Sequence, residues 1–238
     1  MLWGRRSSDW VLQTMYGRIR QKLVHDGLSL IAVEGSIGVG KTSLARLLAR
    51  HLGAGLVEEK VEDNPFLERF YEDMGAYSLQ TQLVFLMNRY RQQLALGQKE
   101  LFSELTVIDY IFARDKIFAH INLTDDELGL YNRIASELQA RLVRPDVVIY
   151  LQASSEVLAE RIQRRGNAME RGISRDYLST LNDAFNHYFF NYTDTPLLIV
   201  NTDAMDFVNN EKHFQDLVRR IAEPINGIEL YVPSWEAK

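Results

Sequence analysis

Gly35-Ser36-Ile37-Gly38-Val39-Gly40-Lys41-Thr42 follows the apolar run Leu30-Ile31-Ala32-Val33 and opens a stretch in which Leu44, Leu47, Leu48 and Leu52 share one helical stripe. A G-x-x-x-x-G-K-T sequence between a strand and a helix is a phosphate cradle. Its successive backbone N–H groups turn inward, and the helix N-terminus adds a partial positive charge. Lys41 brings a full charge to the β- and γ-phosphates of a nucleoside triphosphate, and the Thr42 hydroxyl is placed to ligate Mg²⁺.

Outward from the loop, four more short apolar or β-branched runs recur: Leu56-Val57, Thr106-Val107-Ile108, Val147-Val148-Ile149-Tyr150-Leu151 and Leu197-Leu198-Ile199-Val200. Runs that are apolar on both faces read as buried parallel strands. Between them lie helical patterns over Thr42–Leu52, Gln80–Leu96, Asp125–Leu142 and Asp176–Tyr192, the second carrying Leu83, Leu86, Met87, Tyr90 and Leu94. Ser154-Ser155-Glu156 is a good helix start, with a capping hydroxyl and an acid in the first turn. Alternation of this kind predicts an α/β fold with a doubly wound, five-stranded parallel sheet. In such sheets ligands bind at the carboxyl ends of the strands, where the phosphate loop lies.

The 238 residues, 46% hydrophobic and 25% charged, are expected to form one domain, because no linker-like or repetitive stretch divides them. Residues 1–27 form a basic, nearly acid-free extension that reads as an amphipathic helix before the first strand. Arg5-Arg6 lacks the apolar segment that an export signal needs after it. A net charge of −5 argues against a protein that grips a nucleic-acid polymer. The absence of cysteine removes thiol chemistry and fits a reducing, cytoplasmic setting. No apolar run approaches the ~20 residues of a membrane span, so a soluble chain is expected.

Glu59-Lys60-Val61-Glu62-Asp63-Asn64-Pro65-Phe66-Leu67-Glu68-Arg69-Phe70-Tyr71, and then Gln82-Leu83-Val84-Phe85-Leu86, resemble the bacterial deoxynucleoside kinases, in particular the deoxyadenosine/deoxyguanosine kinase branch. The resemblance runs from about Leu30 to Tyr192. It implies a P-loop kinase fold with a helical lid, a homodimer, and phosphoryl transfer from ATP to the 5′-hydroxyl of a deoxynucleoside, purines favoured, in nucleotide salvage. By that resemblance Glu59 is the general base, a role a carboxylate beside a phosphate loop can fill chemically. Glu58, one position away, points to the other side of the strand.

Tyr71 and Gln82 match the family's sugar-hydroxyl and base-reading residues, and their separation of 11 positions agrees with the family spacing. Arg161-Ile162-Gln163-Arg164-Arg165-Gly166-Asn167-Ala168-Met169-Glu170 resembles the lid. There Arg165, with Arg161 as a further candidate, stabilises charge on the transferring group, and Glu170 reaches the acceptor sugar. Asn201-Thr202-Asp203-Ala204-Met205-Asp206-Phe207, after the fifth strand, is where the adenine of ATP is expected; a plain Asn/Asp-rich turn is the equal alternative.

Two departures from the family pattern stand out. Asp109, expected to hold Mg²⁺ through water, is followed by Tyr110-Ile111 where many members have Arg-Ser, and Asn167 stands where many lids have a second arginine. Arg114 is the candidate replacement for the first missing charge. Two alternatives stay open at this point: a nucleoside-monophosphate kinase of the thymidylate kinase type, and a non-enzymatic nucleotide-binding subunit.

Overall fold

The computed structural model describes residues 4–99, 104–139, 142–167, 170 and 172–233. Ala140 and Arg141 of the expected third helix, and Ala168 and Met169 of the expected lid, lie outside the described residues. The chain runs α1 (Gly4–His25), β1 (Leu30–Gly35), α2 (Lys41–Leu52), β2 (Gly55–Val57), α3 (Leu67–Glu72), α4 (Met74–Lys99) and β3 (Thr106–Ile108). It continues through α5 (Arg114–Asn122), α6 (Asp125–Gln139), β4 (Val147–Gln152), α7 (Ser155–Arg165), α8 (Arg175–Phe190), β5 (Leu197–Asn201), α9 (Glu211–Ile221) and β6 (Ile228–Tyr231).

The strands form one sheet in the order β2-β3-β1-β4-β5-β6, every neighbouring pair parallel. Every residue of β1 is buried, as the run of aliphatic residues demands when helices cover both faces. Ile31 lies opposite Val107 on one side and Val147 on the other. The order reverses at β1, so the turn that leaves it opens into the crevice at the sheet's carboxyl edge.

The sheet has six strands, where five were expected. β6 follows the turn at Asn226-Gly227, with Gly227 in the left-handed region at φ 64°, and pairs along β5 from Leu197–Ile228 onward. Only one of its faces is covered: Tyr231 is buried and its hydroxyl donates to Asp216, while Ile228 and Leu230 are exposed. A half-covered edge strand does not carry the run of apolar residues by which buried strands were sought.

α1 joins the same core. Tyr16 is buried between His51 of α2 and Phe214 of α9, at ring centroid distances of 4.6 and 6.0 Å. Lys22 Nζ donates to the Ala222 carbonyl at 2.7 Å, so the first helix is tied to the end of the last. Burial raises the Tyr16 phenol to about 12, with Glu211 adding to the effect. Along α4 the expected stripe divides: Leu86 is buried, whereas Met87 and Leu94 are exposed. Among the described residues no helix is long and apolar enough to cross a membrane.

Candidate active site

The loop from Gly35 to Gly40 is held in a shape that favours glycine at Gly35, Gly38 and Gly40, all at positive φ. A Cβ on Gly35, where φ is +151°, would lie 2.4 Å from the Leu151 carbonyl oxygen, which is backbone and cannot yield. Gly40, at φ +107°, leads into α2, whose start has no capping side chain, so its first N–H groups remain directed at the loop. Ser36 and Gly35 are buried, while Ile37 and Gly38 line the cleft described below.

Lys41 Nζ donates to the Ser36 carbonyl at 3.0 Å. Burial lowers its ammonium from 10.5 to about 7, with repulsion from Arg114 in the same direction and Glu34, Glu59 and Asp109 opposing. The Thr42 hydroxyl donates to Asp109 Oδ2 at 2.6 Å, and the Glu59 amide donates to Asp109 Oδ1 at 2.7 Å. Burial pushes the Asp109 carboxyl above its ordinary value despite these bonds. Two hard oxygen donors side by side at the helix start, next to a phosphate cradle, form a donor set that suits Mg²⁺, which takes few protein ligands and completes its shell with water and phosphate.

Glu58 and Glu59 diverge, as alternation along a strand requires. Glu58 pairs with Arg46 on the outer side of α2. Glu59, only 11% exposed, turns inward and pairs with Arg89 of α4 through Oε1, while Nε of Arg114 stands 3.7 Å from Oε2. Burial acts to raise the Glu59 carboxyl, but Arg89, Arg114 and Lys41 together override it and hold the group below its ordinary value. Arg114 is buried and fixed by Glu34, a fully buried carboxylate at the end of β1, and by the Gly35 carbonyl at 3.2 Å. Glu34 also accepts from the Gly35 amide at 2.9 Å and the Ile111 amide at 2.9 Å. A guanidinium therefore stands beside Glu59 although Asp109 is not followed by arginine.

Lys41, Thr42, Glu59, Tyr71, Gln82, Asp109, Arg165 and Glu170 line one cleft, together with Arg89, Arg114 and Asp115. Gln82 is 2% exposed, and its Oε1 has no hydrogen-bond partner among the described residues. Arg89 pairs with Asp115 as well as with Glu59, and sits over the rings of Phe85 and Tyr110. The Tyr71 phenol is kept protonated by burial and by nearby Tyr177 and Glu170. Arg165 and Glu170 form an ion pair at the mouth, where Arg165 is half exposed and Glu170 largely covered. Sequence reasoning missed Arg89, Asp115 and Glu34. Arg89 was within reach, being seven positions after Gln82 and so on the same face of α4; Asp115 and Glu34 meet their arginines only through the folded sheet.

Arg161 lies elsewhere. It does not line this cleft but donates to the Val39 carbonyl at 3.3 Å, to the Thr202 hydroxyl at 2.9 Å and to the Thr202 carbonyl at 2.6 Å. It thereby ties the phosphate loop to the segment after β5. A second cleft opens there, bounded by Gly38, Val39, Gly40, Arg161, Asp203 and Phe207. Phe207 is buried against Gly40, and Asp203 Oδ1 accepts from the Ser154 amide at 2.8 Å.

The family described as Deoxynucleoside kinase matches residues 31–226. The chain is 34% identical to the deoxyguanosine kinase of Bacillus subtilis (strain 168), over 82% of this chain and 97% of that one. It is 30% identical to the deoxyadenosine/deoxycytidine kinase of the same organism, over 83% and 94% of the two chains. Its fold is similar to a solved structure of deoxyadenosine kinase from M. mycoides with bound dATP, with a TM-score of 0.72 at 25% identity, covering 82% of this chain and all of that one.

Proposed function

The chain belongs to the deoxynucleoside kinase family, and on that premise we propose that it transfers the γ-phosphoryl group of ATP to the 5′-hydroxyl of a deoxynucleoside, purines favoured, in nucleotide salvage. One observation carries this reading: Lys41 and Thr42, Glu59, and Gln82 line a single cleft in that order of chemistry, from phosphate through acceptor hydroxyl to base.

The attacking 5′-oxygen forms a bond to the γ-phosphorus as the bond to the β–γ bridging oxygen breaks and ADP leaves. Glu59 accepts the hydroxyl proton on Oε2, the oxygen with the longer ion-pair distance. A carboxylate held at low basicity suffices, because the transition state is loose and the hydroxyl gives up its proton late. Lys41 and the amides of the loop cradle the phosphates, while Arg114 and Arg165 meet charge that spreads over the moving group. Thr42 and Asp109 would hold Mg²⁺, which when bound neutralises phosphate charge.

Tyr71 and Glu170 hold the sugar, and Gln82, backed by Arg89 and Asp115, reads the base. The second cleft, with Phe207 and the backbone of residues 203–207, takes the adenine of ATP. The purine preference draws its support from relatives named deoxyguanosine and deoxyadenosine kinases, one of which also carries deoxycytidine in its name. An acceptor already bearing a phosphate fits less well, since Arg89 is engaged by the carboxylates of both Glu59 and Asp115.

Exposed Met87 and Leu94 on α4, with Leu130 on α6, support a homodimer, which sedimentation would test. The single-domain reading, with residues 1–27 as a helical extension, is supported by the core that Tyr16 and Leu23 share with β1. A cytoplasmic setting belongs to this proposal and is supported by the absence of cysteine. Labelled ATP with Mg²⁺ against nucleosides, deoxynucleosides and their monophosphates tests the activity: transfer to deoxynucleosides is expected, and transfer only to monophosphates, or to nothing, overturns it.

A further inference from the structure

On the face of α4 that closes the cleft, Gln82, Phe85 and Arg89, spaced three and four apart, line its interior, and Thr81, four before Phe85, lines it at the edge of the same face. Thr81 is fully buried. Its hydroxyl oxygen has no hydrogen-bond partner among the described residues, and neither has Oε1 of the adjacent Gln82. The Thr81 carbonyl, by contrast, is engaged: Asn64 Nδ2 donates to it at 3.0 Å. Asn64 Oδ1 in turn accepts from the Phe66 amide, so the polypeptide opposite is fixed against this turn of α4.

A threonine inside a helix usually satisfies its hydroxyl by donating back to the carbonyl four residues earlier. Ser78, three residues before, does this to Met74; Thr81 does not. Buried polar groups are nearly always paired, and leaving one unpaired carries a free-energy cost. The cleft that Thr81 lines also holds Val61, Leu67, Phe70 and Phe85, whose side chains can offer a hydroxyl no partner.

Taking the site to be the acceptor cleft of the function proposed above, we infer that the Thr81 hydroxyl is a second specificity-determining contact to the base, hydrogen-bonding its polar edge beside the Gln82 amide. A hydroxyl both donates and accepts, so it completes recognition of a base edge on which Gln82 has met one pair of atoms.

The substitution Thr81→Val replaces the hydroxyl by a methyl group of similar shape. Removing a hydroxyl without a protein partner should leave the melting temperature unchanged or raise it. Yet kcat/KM for the preferred deoxynucleoside should fall by about 5- to 30-fold, with the loss smaller for the poorer bases. For the deoxyriboside of unsubstituted purine, which lacks the exocyclic groups, the loss should stay within about twofold. Thr81→Ser, which keeps the hydroxyl, should retain the selectivity.

An equal loss for every base, unchanged selectivity, or a lower melting temperature in Thr81→Val would overturn the inference while the kinase reading stands. A wild-type protein that phosphorylates no deoxynucleoside overturns both.

Discussion

Glu59 and Arg89 form a buried ion pair at the centre of the cleft, 30 positions apart in sequence and brought together by the packing of α4 over the end of β2. The pair leaves the second carboxylate oxygen for the acceptor. Glu59→Gln should therefore lower kcat by roughly 10²- to 10⁴-fold, the usual size of a general-base contribution, with ATP affinity nearly unchanged. Glu58→Gln should be close to neutral, since its carboxylate faces Arg46 on the outside. Steady-state kinetics of both variants decide this, and an active Glu59→Gln beside an inactive Glu58→Gln would reverse the assignment.

The same pair predicts a pH dependence of stability. The folded-state value of Glu59 is depressed below its ordinary 4.5, so its ionised form stabilises the fold above the unfolded value, and this contribution is lost as pH falls through the folded value. Gln at this position cannot titrate. The melting-temperature difference between wild type and Glu59→Gln should thus move in favour of wild type as pH rises from below 4.5 towards 7, and a trend in the opposite direction would contradict the charge balance around Glu59.

Burial and Arg114 disfavour the charge of Lys41 and lower its ammonium to about 7, far below its ordinary 10.5. Phosphate oxygens favour the ammonium form, so ATP binding above pH 7 should draw in a proton, and ATP affinity should weaken as pH rises beyond that point. Calorimetry at pH 8 in buffers of different ionisation enthalpy measures the uptake. Lys41→Ala should abolish both the uptake and phosphoryl transfer while circular dichroism shows the fold intact.

Gln82→Leu should cost about 1–3 kcal/mol in kcat/KM for the favoured deoxynucleoside and less for poor ones, since a two-point contact to a base edge discriminates by that amount. Four deoxynucleosides compared in both proteins give the answer. Equal losses throughout would assign Gln82 to support of α4.

Arg161→Ala should raise KM for ATP several-fold and leave KM for the deoxynucleoside little changed. Its guanidinium joins the Val39 carbonyl to Thr202, on the side of the second cleft rather than the first. A rise confined to the acceptor's KM would return Arg161 to the lid.

Much of this site was legible because phosphate binding demands a local signature. The run from Gly35 to Thr42 contains its own turn, helix start and charges within one stretch. Glu59 and Asp109 were singled out by the family resemblance, which fixes on the residues just past the apolar runs of β2 and β3. Arg89 was missed although its spacing from Gln82 puts it on the same face of α4; Asp115 and Glu34 were out of reach, because a buried ion pair is written in two distant places and nothing in either segment announces the other. Arg114 was visible only as a candidate; what fixes it beside Glu59 is Glu34, a carboxylate inside a strand whose neighbours read as pure core. β6 escaped for the opposite reason, since half of it faces solvent and its pattern is that of an ordinary surface segment.

The bond from Lys22 to the Ala222 carbonyl spans 200 positions, and Tyr16 needs Phe214 to complete its burial. During synthesis α1 emerges well ahead of its partner α9, which leaves the ribosome only on the order of 10–40 s later, at 5–20 residues per second. Until then the Tyr16 face of α1 lacks half its cover, and the nascent chain carries an exposed aromatic face that later elements must capture. α1 is thus among the last pieces to lock, and a ribosome stalled before α9 would display it as a handle for chaperones.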